Sequence, residues 1–215
     1  MIAVLGGTGQ QGRGIAQRLV RAGHHVVVGS RDPSRANAAV EAWPADARPE
    51  QIADYESSIR RAAVTILAVP FDASAALLDA YHALFNPQSL VIDLTVPLSF
   101  AGGKVTLVPV EEGSAAEHIR ARLPDSVRLA ATFKTVPAHL LEEIDRPLDC
   151  DEFVCGDSDA ARAQAMTLVS AMAGLRPIDV GPLTRARAIE HLTLLAIAIN
   201  RTHKIRDARF RIVGL

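Results

Sequence analysis

A strand-like run, Ile2-Ala3-Val4-Leu5, leads straight into Gly6-Gly7-Thr8-Gly9-Gln10-Gln11-Gly12. Glycines spaced Gly-x-Gly-x-x-Gly at 7, 9 and 12, between a strand and a helical segment, bring unencumbered backbone N–H groups up to a pyrophosphate. On this reading Gly7 permits the tight turn, Gly9 leaves no Cβ in the way of the phosphates, and Gly12 lets the helix pack close to the strand. Thr8, Gln10 and Gln11 share the loop and the helix start, where free N–H groups favour an anion. The expected ligand is a dinucleotide.

The end of the second strand decides which dinucleotide. NAD-specific proteins place a carboxylate there for the ribose 2′-hydroxyl, whereas His25-Val26-Val27-Val28 is followed by Gly29-Ser30-Arg31. A small residue, a hydroxyl and a guanidinium suit a 2′-phosphate, and Arg35 lies one helical turn further on. Two charge-assisted contacts of roughly 1.5–3 kcal/mol each predict a preference for NADP(H) on the order of a hundredfold or more. Asp32 competes for the carboxylate role, but Asp before Pro33 reads as an ordinary helix cap.

Other machinery is missing from the chain. Neither Tyr55 nor Tyr81 has a lysine four residues later, and there is no His-x-x-x-His, cysteine cluster or Gly-x-Ser-x-Gly elbow. Cys150 and Cys155 match neither a redox pair nor a zinc knuckle, and read as buried small hydrophobes. A dinucleotide protein without an evident general acid or metal fits hydride transfer between two redox cofactors, where positioning does most of the work.

The elements that must position these residues alternate in type. Strands are expected at 2–5, 25–28, 63–68, 90–93 and 127–132, with helices at 34–42, 50–61, 72–84 and 114–122 between them. The fold class is α/β, a Rossmann-type doubly wound parallel sheet over residues 1–146. Three strand ends share a proline: Val69-Pro70, Val96-Pro97 and Val136-Pro137. Ligands lie outside the carboxyl ends of strands in such sheets, so these stiff turns are expected to line a cofactor cleft, with Val69 and Pro70 against the cofactor. Around Pro147 the pattern changes. Residues 147–215 form a smaller C-terminal α/β part, with strands at 153–155 and 177–180 and helices at 157–173 and 183–203.

At 215 residues, 49% hydrophobic and 22% charged, the chain can bury one large core or one large and one small. A net charge of −1 gives no field for nucleic acid. No apolar stretch reaches the roughly 20 residues of a membrane span, and a cytoplasmic location is expected.

Several blocks resemble a known family, the NADP oxidoreductases dependent on the deazaflavin coenzyme F420. They are Gly-Gly-Thr-Gly-x-x-Gly, Gly-Ser-Arg at 29–31, Ser-Ala-Ala-Glu at 114–117, Cys155-Gly156-Asp157, Gly174-Leu175-Arg176-Pro177, and Asp179 through Gly181-Pro182-Leu183. The resemblance implies that Thr8, Ser30, Arg31 and Arg35 hold the 2′-phosphate of NADP. It also implies that nicotinamide meets deazaflavin between the two parts, that 147–215 supplies the acceptor side and dimer contacts, and that the protein is a homodimer.

In the long helix Arg187 and Thr193 match the family, while His191 replaces a small hydroxyl residue. Lys134 stands where the family tends to present a histidine beside the ring. It reads either as a cationic catalytic partner for the ring carbonyls, or another acceptor, or as a surface lysine at a strand end. Two other functions stay open at this point. One is an NADPH-dependent reductase of the same fold acting on a flavin, a ferric chelate or a small carbonyl or imine; the other is a non-catalytic NADP-sensing protein.

Overall fold

The computed structural model describes all of residues 1–215. Its elements in chain order are β1 (Ile2–Leu5), α1 (Gln10–Arg21), β2 (Val26–Gly29), α2 (Pro33–Glu41), β3 (Gln51–Ala53), α3 (Tyr55–Arg61), β4 (Val64–Leu67), α4 (Phe71–Tyr81) and β5 (Leu90–Asp93). Then come β6 (Leu98–Ala101), β7 (Lys104–Leu107), α5 (Ala115–Arg120), β8 (Arg128–Ala131), α6 (Ala138–Glu142), β9 (Cys150–Gly156), α7 (Asp159–Ser170), β10 (Leu175–Pro182) and α8 (Ala186–His203).

One eight-stranded sheet runs in the order β10-β9-β8-β5-β4-β1-β2-β3. The central strands are apolar on both faces because helices cover both. Alternation along each strand sorts the core: Ile2, Val4, Val64 and Ile66 pack with Ile15, Leu19 and Leu141 on one face, and Ala3, Leu5, Leu67 and Val91 pack with Ile59, Leu78 and Ile189 on the other. Arg18 fastens α6 onto the first face, donating from a buried guanidinium to the carbonyls of Leu140, Leu141, Glu143 and Arg146.

Four features depart from the sequence reading. The helix expected at 50–61 divides into β3 and α3, because Asp54 caps the backbone N–H of Ser57 and starts the helix late. Residues 98–107 form the antiparallel hairpin β6–β7, turned by Gly102 and Gly103 at φ 56° and 72°. The C-terminal strands are longer than expected, at Cys150–Gly156 and Leu175–Pro182, and continue the main sheet. The sheet is also not wholly parallel: β9 pairs antiparallel with β8. A parallel return needs a crossover back to the amino end, and the connection from β8 to β9 holds only the five-residue α6.

The tail after α8 packs along the start of β9: the Asp151 N–H donates to the Phe210 carbonyl, and the Phe153 and Phe210 rings lie 6.2 Å apart. No helix is long and apolar enough to cross a membrane.

Candidate active site

β1 sits at the point where the chain's connections diverge, with β2 on one side and β4 on the other. A cleft opens beyond the carboxyl ends of these strands. It has two lobes that share Gly9, Ala68, Val69 and Pro70, one of about 900 Å³ and one of about 550 Å³.

The larger lobe holds the residues expected to bind a phosphate. Thr8, Gly9, Ser30, Arg31 and Arg35 line it together. Asp32 is turned to structure: its side chain accepts from the Arg35 N–H at 3.0 Å, and Pro33 opens α2 behind it. This is the cap that the Asp-Pro pair predicts. α1 starts at Gln10 with Gly9 as its cap residue and no capping side chain, so its first N–H groups face the cleft unsatisfied.

The glycines divide the work differently from the sequence expectation. The left-handed turn falls on Gly6, at φ 76°, rather than on Gly7. A Cβ on Gly12 would stand 2.6 Å from the Gly6 carbonyl oxygen and 2.9 Å from the Ala68 Cβ, so Gly12 is needed for packing. A Cβ on Gly9 would meet only the Gly6 carbonyl oxygen, at 3.2 Å. The space in front of Gly9 is therefore open to a ligand, and the cradle fits a pyrophosphate.

The smaller lobe is walled by the three proline turns: Val69, Pro70 and Phe71; Val96 and Leu98; Val136, Pro137 and Ala138. Gln10, Gln11, Thr193, Ile197 and Asn200 complete it. Phe133, fully buried, takes the left-handed conformation at φ 57°, a strained choice for a non-glycine residue. Side chains hold this segment on both sides: Gln11 Nε2 donates to the Phe133 carbonyl, and Thr193 Oγ1 donates to the Lys134 carbonyl at 2.9 Å.

Lys134 is not at the surface. Its side chain is wholly buried, and Nζ donates to Asp93 Oδ2 at 2.6 Å, to Glu190 Oε1 at 3.3 Å and to the Thr95 carbonyl. Asp93 Oδ1 accepts from the Thr95 N–H and hydroxyl, each at 2.7 Å, and Glu190 accepts from the Ala115 N–H at 3.1 Å. Burial opposes the ammonium, but Asp93 and Glu190 outweigh it and hold its pKa above the ordinary lysine value. Burial likewise pushes Glu190 up against the pull of Lys134. The amine thus fastens β5, α5 and α8 beneath the cleft.

Glu152 holds the same segment from β9, accepting from the Lys134 N–H at 2.9 Å and the Thr135 hydroxyl at 2.6 Å. Burial raises its pKa to about 7 in spite of those donors. Since the folded value lies above the ordinary value of 4.5, this group favours folding most below pH 4.5, and the contribution is lost as pH rises through 7. Glu152→Gln removes the titration and keeps one acceptor oxygen for the Lys134 N–H, while the Thr135 hydroxyl can turn to accept from the new amide. Urea unfolding of the wild type should lose about 3 kcal/mol more than the variant between pH 4.5 and 8; parallel profiles would exclude the assignment.

One expected site residue lies outside both lobes. Arg187 makes a double ion pair with Glu117, both contacts at 2.7 Å, and donates to the Glu112 carbonyl. That engagement braces α8 on α5 and keeps the guanidinium out of both lobes. His191 is exposed and its Nδ1 pairs with the Arg187 carbonyl one turn back. Burial pushes both Cys150 and Cys155 up to about 12, so neither is a ready thiolate. No group of three metal-ligating side chains forms.

Sequence reasoning missed Asp93, Glu190 and Glu152. Only Asp93 carried a signal, as a charge ending the otherwise apolar run Leu90-Val91-Ile92.

Comparison with known proteins agrees with this geometry. Residues 1–97 match the family described as NADP oxidoreductase coenzyme F420-dependent. The F420-dependent NADP reductase of Methanothermobacter marburgensis is 38% identical over all of this chain and 98% of its own length. The protein of that name from Methanothermobacter thermautotrophicus is 36% identical over all of this chain and 95% of its own. A solved Arthrobacter structure described as an F420 dependent NADP-reductase superposes with a TM-score of 0.85 at 30% identity, covering 99% of this chain and 98% of that one. Full-length similarity at this level, on a cleft built as above, places the chain in the coenzyme F420-dependent NADP oxidoreductase family.

Proposed function

We propose that the chain transfers a hydride between NADP(H) and the deazaflavin coenzyme F420. The observation that carries this reading is the pair of joined lobes, one with a hydroxyl and two guanidinium side chains at its far end, the other walled by apolar turns. The larger lobe takes the 2′-phosphate on Thr8, Ser30, Arg31 and Arg35, and the pyrophosphate lies over Gly7, Gly9, Gly12 and the N–H groups of Gln10 and Gln11. Val69 and Pro70 back the nicotinamide, and Thr193 with the 133–137 segment backs the second ring. The two cofactors supply the hydride donor and acceptor; the chain orients them and excludes water. Lys134 serves as a positioning residue, since its enclosed amine acts through the wall it holds.

In this reading residues 1–146 serve NADP and share the acceptor lobe with 147–215, and 147–215 also make contacts with a second copy of the chain in a cytoplasmic homodimer. Exposed Leu195, 49% accessible on α8, suits such contacts.

The test is oxidation of NADPH with F420, a free flavin, a ferric chelate or a cyclic imine as acceptor. Turnover with F420 well above the others is expected; turnover confined to another acceptor would overturn the reading. Arg31→Ala should raise KM for NADPH roughly tenfold or more and leave that for NADH nearly unchanged.

A further inference from the structure

The smaller lobe must hold two ring systems in about 550 Å³, and the larger lobe is committed to the rest of NADP. Any chain appended to the second ring therefore leaves by the far end, past Leu98, Ile197, Asn200 and Ala208. Two segments border that end, residues 94–110 and 191–206, and neither contains an aspartate or glutamate. With 24 acidic against 23 basic residues overall, such a gap is a local feature and not a property of the chain.

Lys104, Arg201, Lys204 and Arg206 stand in these segments, all exposed. They include two of the three lysines in the sequence. None of the four forms an ion pair, whereas Arg209, just beyond, pairs with Asp207.

Hydrogen bonds gather them into one rim. Arg201 Nη1 donates to the Gly103 carbonyl at 2.9 Å, which ties the end of α8 to the hairpin turn beside Lys104. Lys204 takes φ 54° and ends the helix, and the Ile205 N–H returns to the Asn200 carbonyl. Asn200, on the cleft wall, then holds the loop through the Arg206 carbonyl at 3.4 Å and the Ala208 N–H at 2.9 Å. Cations in a last helical turn are favoured by the helix dipole, which accounts for Arg201 and Lys204. It does not account for Lys104 on the hairpin or Arg206 beyond the helix.

We infer that this rim is an anion-binding subsite for the phosphate- and carboxylate-bearing chain appended to the deazaflavin ring. The inference rests on the proposed function and assigns the part of the acceptor that lies outside the ring lobe. Four unpaired charges on one rim raise the local concentration of such an anion and hold it in a salt-dependent way.

The experiment compares complete F420 with its ring-bearing alcohol fragment, which lacks the phosphate and glutamates. Turnover with NADPH is measured alongside direct binding through quenching of deazaflavin fluorescence without NADPH. The proteins are the wild type and Lys104→Gln/Arg201→Gln/Arg206→Gln, which removes three charges and keeps a polar donor at each position. For complete F420, Kd and KM should rise about tenfold or more in the variant, and in the wild type they should rise with salt. Both should stay within about twofold for the fragment and for NADPH, where the rim has no role.

Equal affinity of wild type and variant for complete F420 overturns the subsite. So does an unchanged Kd with a shift in sedimentation, which would make the rim an interface between copies. Failure of the wild type to turn over either deazaflavin, with NADPH still bound, overturns the proposed acceptor instead.

Discussion

Lys134→Met is expected to unfold at markedly lower urea than the wild type at pH 7, with about 3–5 kcal/mol lost. Methionine fills a similar volume, so packing is largely kept and the charge is what changes. Asp93 and Glu190 would then share a buried space with no cation, and leaving one side of a buried ion pair unpaired typically costs that much. The Thr95 carbonyl would lose a donor as well.

The deficit should shrink toward acid pH. Burial already holds the Glu190 pKa up, and Lys134 opposes that rise; without the amine Glu190 keeps its proton to higher pH. Adding Glu190→Gln should restore part of the stability by removing one of the two orphaned carboxylates. Because the amine joins the walls at Thr95 and Thr135, kcat should fall on the order of a hundredfold, the cost of roughly 1 Å of misplacement. KM for NADPH, set largely at Arg31, should move little. Stability within about 1 kcal/mol of the wild type at pH 7 would mean that the cluster is not what holds this wall.

The parts of the site that are local in sequence were legible. The glycine loop, the Ser30–Arg35 stretch and the Asp32 cap each depend on residues a few positions apart, and the structure gathers them at one lobe, with the left-handed turn on Gly6 rather than Gly7. The proline turns converge because all three end strands at the same edge of one sheet.

The buried cluster was not legible. Lys134 finds Asp93 and Glu190 at separations of 41 and 56 residues, and nothing near Lys134 announces them. Asp93 alone could have been suspected, since a carboxylate at the end of a strand covered on both faces requires a partner. The hairpin had its signal in Gly102-Gly103 between two short apolar runs, a pair suited to two positive φ angles. Strand β3, three residues long, has no periodicity to read. Arg187 is named through resemblance alone, and its partner Glu117 lies 70 residues away in sequence.

Gly9→Val should leave a folded protein that no longer binds NADP(H) measurably, whereas Gly12→Val should fail as a fold. Both glycines belong to the same spacing, in which Gly9 is expected to face the phosphates and Gly12 to face the strand. The geometry separates them. At Gly12 a Cβ would overlap the Gly6 carbonyl oxygen and Ala68, both parts of the packed junction of β1, β4 and α1, and overpacking there costs several kcal/mol. At Gly9, φ −70° and ψ 160° form an extended conformation that a β-branched residue accepts. The one close neighbour, the Gly6 carbonyl oxygen at 3.2 Å, needs to yield only a few tenths of an ångström.

What valine at Gly9 fills is the space over the first N–H groups of α1, where the pyrophosphate has to lie. Losing that approach removes several charge-assisted hydrogen bonds together, each worth roughly 1.5–3 kcal/mol, so Kd for NADPH should weaken by about three orders of magnitude or more. Circular dichroism and the urea midpoint of Gly9→Val should match the wild type to within about 1 kcal/mol. Tight NADPH binding by this variant would remove the glycine loop from the cofactor site, and with it the reading of the whole cleft.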